Sequence, residues 1–344
     1  MKYIEKGHVS LLLALLLLFG GTSTVSYAKI VFDSKRNGET NYHIYVMEDN
    51  GSNVRRITSP DYYDINPGWF PDGKRIVFER DWERGSGKPG FQFYIIDADG
   101  RNERRFMANN IVDKLPVPSP DGKQIIFSSR RDDIRKRNLY IYHLETKRLK
   151  QLTVDGGYHN ADWSPNGRQI VYDYEAEEED EIWTMNANGG RKRRLSPLGK
   201  KGVFSRRSSP RWSPSGKYIM YHEGQWEGEG NFLIAGNWNR VKESVVVQNV
   251  LTGVREVHKF PLADWVYDGC WMGDDQTLLL CIKKDKEVPG ANFEIYRYDL
   301  VSRRLTNLTN HPGVDHSPHW ISGTLAVFPA GKLTTLWGKL KQVD

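Results

Sequence analysis

Acidic, amide and imidazole side chains recur along the sequence, each just ahead of a predicted β-strand. The set is Asp64, Asn66, Asp113, His159, Asn160, Asp268, Asp315 and His316. If the fold gathers them, carboxylates and imidazoles can act as acid and base, and with amides they can hold a cation, a sugar or a peptide end. The alternative role is structural, because such side chains also cap turns and satisfy backbone donors. The sequence therefore predicts a ligand-binding group and assigns no catalytic residue.

No established catalytic or metal-binding motif accompanies this set. The segment Asp97–Gly100 has the Asp-Ala-Asp-Gly pattern of a calcium loop but lacks the bidentate glutamate downstream. We favour loop histidines over a zinc site for His311, His316 and His319, because strand alternation would aim them differently. A hydrolase of the prolyl-oligopeptidase type is not expected, since no Gly-x-Ser-x-Gly sequence occurs and little chain follows residue 328. We expect no cofactor and no metal.

An internal repeat supplies the elements that must position these side chains. Its six copies begin at residues 67, 117, 161, 210, 269 and 318. One position is held in turn by Trp69, Pro118, Trp163, Trp212, Trp271 and Trp320. A Pro-Asp-Gly or Pro-Asn-Gly centre predicts a tight turn, because Pro fixes φ and Gly supplies φ > 0. The β-branched and aromatic run after it, such as Ile76-Val77-Phe78, predicts a buried strand.

A second hairpin follows in each copy, with a third strand such as His43–Met47 and a fourth that ends near Thr58. Four antiparallel strands per repeat are one blade of a β-propeller. Residues 29–58 supply only three strands, whereas residues 315–328 supply a first strand and a surplus candidate. We predict an all-β, six-bladed propeller of four-stranded antiparallel blades, closed by pairing of the N- and C-terminal strands. Seven blades is the alternative, and the recurring Trp is expected to wedge between blades.

The repeat resembles the TolB-type, WD-like propeller repeat. The shared pattern is W-S-P-D-G-K-x-I-x-F, then I-Y-x-M-D-x-D-G, then R-x-L-T, and it covers nearly the whole mature chain. WD repeats fit less well because the Gly-His and Trp-Asp signature is absent, and kelch repeats fit less well because Gly156-Gly157 is not repeated in register. The resemblance concerns the propeller alone. TolB carries an N-terminal α/β domain, whereas here the first strand is expected two residues after the predicted cleavage site.

The first 28 residues have the pattern of a signal peptide. Lys2 and Lys6 give a positive start, Leu11–Phe19 is apolar, and Ser26-Tyr27-Ala28 offers small residues for cleavage. An uncleaved anchor is the alternative. We predict a signal peptide at 1–28 and one propeller domain at 29–344, located in the periplasm or secreted, with no membrane span in the mature chain.

Charge and cysteine content restrict the partners. Cleavage removes Lys2, Lys6 and Glu5, which lowers the formal net charge from +6 to +5. So mild a charge does not demand a nucleic-acid partner, and we interpret the short basic runs as solvated loop charge. Cys270 and Cys281 flank one predicted hairpin, so both a cross-strand disulfide and two buried free thiols are open interpretations.

The predicted loops differ between the two faces of the propeller. Turns after the first and third strands are short, whereas the long segments fall on the other face. These segments are 80–90, 130–138, 174–181, 223–242 and 283–292. The segment Glu223–Lys242 contains Trp226 and Trp238 and is either an aromatic lid or an insertion that packs on its own side chains. Variable loops on a rigid scaffold are typical of a binding surface.

We therefore expect a monomeric recognition or scaffold module that binds a protein or an envelope glycan through the long-loop face. The alternative is a carbohydrate-active enzyme, a polysaccharide lyase or hydrolase, with its site at the mouth of the central channel. A third possibility is a structural part of a larger assembly.

Overall fold

Short antiparallel strands make up the whole of the described protein. The computed structural model describes residues 30–81, 90–107, 111–132, 135–176, 179–231, 235–284 and 291–322. These residues form 24 strands in six antiparallel sheets of four. They contain no helix that is long and apolar enough to cross a membrane. The predicted signal peptide, residues 1–28, lies outside the described residues.

Each sheet is one blade, and the strands follow one another along the chain. Blade 1 begins with β1 (Ile30–Lys35), β2 (His43–Met47) and β3 (Arg55–Arg56). Blade 2 contains β4 (Tyr63–Trp69), β5 (Arg75–Asp81), β6 (Phe91–Asp97) and β7 (Arg104–Arg105). Blade 3 contains β8 (Asp113–Pro118), β9 (Gln124–Ser129), β10 (Asn138–His143) and β11 (Leu149–Gln151).

The remaining blades repeat this order. Blade 4 contains β12 (Tyr158–Trp163), β13 (Gln169–Glu175), β14 (Asp180–Asn186) and β15 (Arg193–Arg194). Blade 5 contains β16 (Val203–Trp212), β17 (Tyr218–Asn231), β18 (Ala235–Asn249) and β19 (Arg255–Lys259). Blade 6 contains β20 (Trp265–Trp271), β21 (Thr277–Lys283), β22 (Phe293–Asp299) and β23 (Leu305–Asn307). The last strand, β24 (Val314–Trp320), is the first strand of blade 1.

The Pro-Asp-Gly turns form as the sequence predicts. In blade 2 the Asp72 carboxylate accepts the Lys74 N–H at 2.8 Å, and Gly73 has φ of 62°. Only glycine adopts that φ without a steric cost, so Gly is needed at the turn. The same turn joins the first two strands of blades 3, 4 and 5, where the glycine φ values are 68°, 68° and 72°. This turn therefore fixes the register between the first two strands of these blades.

The recurring Trp packs between neighbouring blades, as predicted. Trp69 contacts Val31 and Ile44 of blade 1 as well as Ile76 and Phe78 of its own blade. Trp163, Trp212 and Trp271 occupy the same place at the next three boundaries where a Trp is present. Blade 3 has Pro118 at this position. There Phe70, which follows Trp69 in blade 2, packs against Ile125 and Phe127 and fills the boundary.

The propeller closes through the two ends of the described chain. β24 pairs antiparallel with β1, with Ser34 opposite Asp315 and Ile30 opposite Trp320. Each first strand also contacts the first strands of both neighbouring blades, so the six blades form an unbroken ring. This confirms six blades closed by the N- and C-terminal strands. The surplus strand candidate, residues 324–328, lies outside the described residues.

The segment Glu223–Lys242 is not the loop that the sequence predicts. It extends β17 and β18 into one long hairpin, in which Trp226 lies opposite Arg240 and Gly228 lies opposite Trp238. Frequent glycines suggested an irregular segment, but the two backbones pair residue by residue up to Asn231 and Ala235. The described residues of this segment therefore form a two-stranded extension of blade 5, with one β-bulge at Gln225–Trp226.

Three of the six fourth strands end their sheets with short, basic edges. β3, β7 and β15 are each two residues long and each consists of Arg-Arg. These arginines are largely exposed at the rim of the propeller. Short strands and charge both hinder pairing between sheet edges of different molecules.

Candidate binding site on the long-loop face

The predicted site residues lie within the first strands, not just ahead of them. A β-bulge interrupts the pairing of the first and second strands in every blade, for example between Ile65 and Gly68 of β4. The bulged residue has positive φ in five blades, at Asn66, Leu115, Asn160, Ser209 and Ser317. The bulge changes which side chains face the axis.

Three of the predicted acids face the blade interior instead of a ligand site. Asp64 is fully buried and bound to Arg80 at 2.6 Å. Asp113 binds Arg131 at 2.8 Å in blade 3. Asp315 binds Arg36 at 2.7 Å in blade 1. Arg80 lies near the end of the second strand β5, whereas Arg131 and Arg36 lie just after the second strands β9 and β1. The pairs therefore hold the first strand to the end of the second strand, which is a structural role.

Blade 5 carries the same ion pair with the charges exchanged. Arg207 takes the place of the acid and binds Glu223 at 2.8 Å, while Glu179 of blade 4 binds Arg207 at 2.6 Å. Lys242 and Arg255 also bind the Glu223 carboxylate. The Lys242 and Arg207 hydrogen bonds outweigh burial and lower the pKa of Glu223 to about 2.

The two bulge asparagines bind buried carboxylates. The Asn66 N–H donates to Asp33 at 3.0 Å, and its side-chain amide donates to Glu79 at 2.9 Å. Glu79 in turn accepts the N–H of Leu115 in blade 3 at 2.6 Å. The Asn160 amide donates to Asp173 at 3.0 Å. Carboxylates of second strands therefore bind the bulges and link one blade to the next.

Burial governs the ionisation of the groups around the axis. It raises the pKa of Asp33 to about 7 and that of Asp162 to about 6. It lowers the pKa of both His316 and His319 to about 4. His316 lies 3.8 Å from Asp33. At a pH between about 4 and about 7 the imidazole has lost its proton and the carboxyl keeps its own, so both groups are neutral. Asp268 lies 3.4 Å from Arg211, while burial raises the pKa of Asp268.

His316 belongs to an aromatic arc around blades 6, 1 and 2. Its ring stacks on Tyr42 at 5.5 Å and lies 5.4 Å from Tyr267 and 4.9 Å from Phe293. Tyr267 is half exposed. Because His316 and Tyr267 hold equivalent positions in adjacent blades, their contact places this arc at the axis.

A cleft on the other side of the same face is lined by two of the predicted residues, His159 and Trp238. It has a volume of about 1480 Å³ and is lined by segments of blades 3, 4 and 5, including His159, Phe204 and Trp238. A neighbouring cavity of about 340 Å³ contains His159 and Asn160. Trp226 packs behind the lining, with its ring 6.3 Å from that of Phe204. We call the larger space the cleft.

The smaller cavity contains groups suited to proton transfer. Burial, with the nearby charge of Asp173, raises the pKa of Asp180 to about 7. His159 lies 3.5 Å from Glu175 at the same cavity. A carboxyl that keeps its proton near neutral pH can donate it to a bound molecule. The described residues contain no group of three side chains able to hold a metal ion.

Sequence reasoning missed the cations of the cleft. Arg130 and Arg137 lie in the connection between β9 and β10, and Lys200 and Lys201 lie between β15 and β16. The basic run that includes Arg137 was the available signal, and we interpreted it as solvated charge. Two loops far apart in sequence contribute, so only the fold reveals their convergence.

Both cysteines are buried free thiols, which resolves the open choice between thiols and a disulfide. Cys281 faces Asp268 across the strand pair, whereas Cys270 faces Leu279. Burial raises the pKa of both thiols, that of Cys270 to about 12. The thiols are therefore poor nucleophiles.

The fold and the cleft define a six-bladed propeller with one uniform turn face and one face that carries a concave surface. The chain belongs to the TolB propeller family, because the TolB beta propeller domain matches residues 26–214. No curated protein matches the sequence significantly.

Solved structures share the fold at low sequence identity. TolB from Acinetobacter baumannii is 18% identical with a TM-score of 0.67, covering 86% of this chain and 67% of that chain. A putative TolB from Agrobacterium tumefaciens is 13% identical with a TM-score of 0.58, covering 86% and 99%. A chain of the nidogen/laminin complex is 10% identical with a TM-score of 0.59, covering 85% and 97%. Such identities establish the fold alone.

Proposed function

We propose that this protein is an exported recognition module that binds a partner through the cleft on its long-loop face. One observation carries the proposal: a cleft of about 1480 Å³ opens on this face and is lined from three blades. Concave surfaces on rigid scaffolds are where ligands are usually bound. Membership of the TolB propeller family supports a protein partner.

Export is part of the proposal and rests on the signal-peptide pattern of residues 1–28. Export can be measured by fractionating a bacterial host that expresses the full chain. We expect a product that begins at Lys29 in the periplasm or medium. A full-length product that stays with the membrane would contradict cleavage.

Capture from envelope extract tests the binding face. The exported chain is immobilised in three forms: wild type, a cleft variant with His159→Ala and Trp238→Ala, and a turn-face variant with Leu251→Ala and Val254→Ala. The turn-face residues are 90% and 68% exposed, so they are a matched control for a surface change. We expect a partner captured by the wild type and the turn-face variant and lost with the cleft variant.

A titration with the purified partner then distinguishes specific binding from nonspecific adsorption. Calorimetric titration should show a saturable interaction that the cleft variant weakens at least about tenfold, or about 1.4 kcal/mol. Equal capture by all three forms would show that the cleft is not the binding surface.

One observation favours the carbohydrate-active alternative. Asp180, with a pKa of about 7, lines the smaller cavity together with His159 and Glu175, which is an acid and base arrangement. A screen of acidic polysaccharides for cleavage tests it, with Asp180→Asn as the variant. If the wild type cleaves a polysaccharide and Asp180→Asn does not, the protein is an enzyme that uses Asp180. If the variant cleaves it equally well, Asp180 has no role in the reaction.

A further inference from the structure

Positive charge on the walls of the cleft exceeds the negative charge available to neutralise it. Seven Arg and Lys side chains and four Asp and Glu side chains line the cleft. Two of the four acids already have partners, because Glu179 and Glu181 both bind Arg194. Glu179 also binds Arg207 at 2.6 Å. The cleft therefore offers a net positive surface to a ligand.

Four cations of the cleft form neither an ion pair nor a side-chain hydrogen bond with any residue that the structure describes. They are Arg130, Arg137, Lys200 and Lys201. The two arginines come from blade 3, and the two lysines come from the connection between blades 4 and 5. Cations thus approach the cleft from both sides of blade 4. A ligand that met both groups would need negative charges spaced along its length.

Arg137 has a hydrogen-bond donor that no described residue uses. Its Nε atom is buried and has no hydrogen-bond partner among the described residues. Burial, and then the nearby charge of Arg130, lowers the pKa of Arg137. A partly buried guanidinium with an unused donor gains a charge-assisted hydrogen bond when a carboxylate binds. The arrangement is therefore suited to a carboxylate ligand.

Apolar side chains stand beside the cations. Leu198 is 80% exposed next to the two lysines, and Val203, Phe204 and Trp238 line the same wall. An exposed leucine gains stability by contacting alkyl groups, which peptide side chains carry and glycans largely lack. The mixture of cations and aliphatic surface favours a peptide over a polysaccharide.

We propose that the cleft binds an extended acidic peptide segment of a protein partner. Its carboxylates engage Arg130 and Arg137 on one side and Lys200 and Lys201 on the other, and its apolar side chains contact Leu198. This inference rests on the proposed function of the face and adds the chemistry of the ligand.

Binding of a fluorescein-labelled peptide of alternating Glu and Leu, followed by anisotropy, tests the inference. A charge-reversal variant combines Lys200→Glu with Lys201→Glu. The control combines Lys74→Glu with Lys217→Glu, two exposed lysines of the turn face, so the net charge of both variants is equal. We expect the charge-reversal variant to bind the peptide at least about tenfold more weakly, and the control to bind it like the wild type. Raising salt to about 0.5 M should also weaken binding.

The other outcomes separate this inference from the proposed function. Equal binding of a peptide with Gln in place of Glu would overturn the requirement for acid. Binding of polygalacturonate, but not the peptide, at these lysines would overturn the peptide and leave the cleft as a glycan site. Cleft-dependent capture of a partner without any peptide binding would overturn the acidic ligand alone. Failure of both capture and peptide binding would overturn the proposed function as well.

Discussion

At the scale of single residues, the buried acids divide into charged and neutral groups. Asp64 and Glu223 lie against arginines, whereas Asp33 accepts one backbone N–H and has no cation as its direct partner. Burial raises the pKa of Asp33 from 3.8 to about 7. The two kinds of acid should therefore respond in different ways to pH and to substitution.

We predict that Asp33→Asn changes the pH dependence of stability. A carboxyl whose pKa is higher in the folded chain stabilises the fold fully below about pH 4, and that contribution is lost as the pH rises to about 7. Asparagine retains an acceptor for Asn66 but does not titrate. The variant should gain up to about 4 kcal/mol relative to the wild type between about pH 4 and pH 8. Urea unfolding across this range measures the difference, and Asp99→Asn at an exposed turn should leave the profile unchanged.

Arg80 tests the structural role of the first-strand acids. Arg80→Ala leaves the buried Asp64 carboxylate without its cation and removes the stacking on Tyr94. We expect a loss of about 3–5 kcal/mol in the free energy of unfolding. Arg75→Ala breaks the partly exposed pair with Asp72 and should cost less than about 1 kcal/mol. Similar losses for both variants would contradict the role of burial.

At the scale of elements, turns and strands could be predicted from sequence but side-chain directions could not. Turn chemistry and β-branched runs identified the blades, since both depend on neighbouring residues. The direction of Asp64 depends on the bulge at Asn66, and one extra residue moves a side chain to the other face. Asp33 of blade 1 binds the bulge at Asn66 of blade 2, and Glu79 of blade 2 binds the bulge at Leu115 of blade 3. The local sequence pattern carries no information about contacts between residues of different blades. The cations of the cleft were missed for the same reason, because they come from separate blades.

Truncation of a wedge residue tests the packing between blades. Trp163 is 6% exposed, packs between blades 3 and 4, and donates from its indole to Val117 O at 3.2 Å. Trp163→Ala should lower the free energy of unfolding by about 3–5 kcal/mol. Trp265, which is 45% exposed, is the matched control, and Trp265→Ala should cost about 1 kcal/mol or less. Denaturant midpoints with equal slopes give both values.

At the scale of the whole molecule, one strand pair closes the ring. Asp315 accepts hydrogen bonds from Ser34 at 2.5 Å and Arg36 at 2.7 Å, contacts that join residues about 280 positions apart in the chain. Because each blade packs on two neighbours, loosening this junction removes support from blades 1, 2 and 6 together. Closure is thus a long-range constraint on the entire propeller.

We predict that Asp315→Asn weakens the whole ring rather than one blade. The change leaves Arg36 buried without its charge partner and should cost about 3–5 kcal/mol. Amide hydrogen exchange should then accelerate by a similar free energy in the second strands of all six blades, including blade 3 on the far side. Acceleration restricted to blade 1 would show that the ring opens locally and that closure does not limit global unfolding.

The arginine pairs at the rim have a consequence for behaviour at high concentration. β3, β7 and β15 each end a sheet with two guanidinium groups. A second molecule that paired its own β3, β7 or β15 edge there would bring guanidinium groups against one another, and like charges at such distances repel. These edges therefore repel one another in concentrated solution, and the repulsion weakens as salt ions screen the charges.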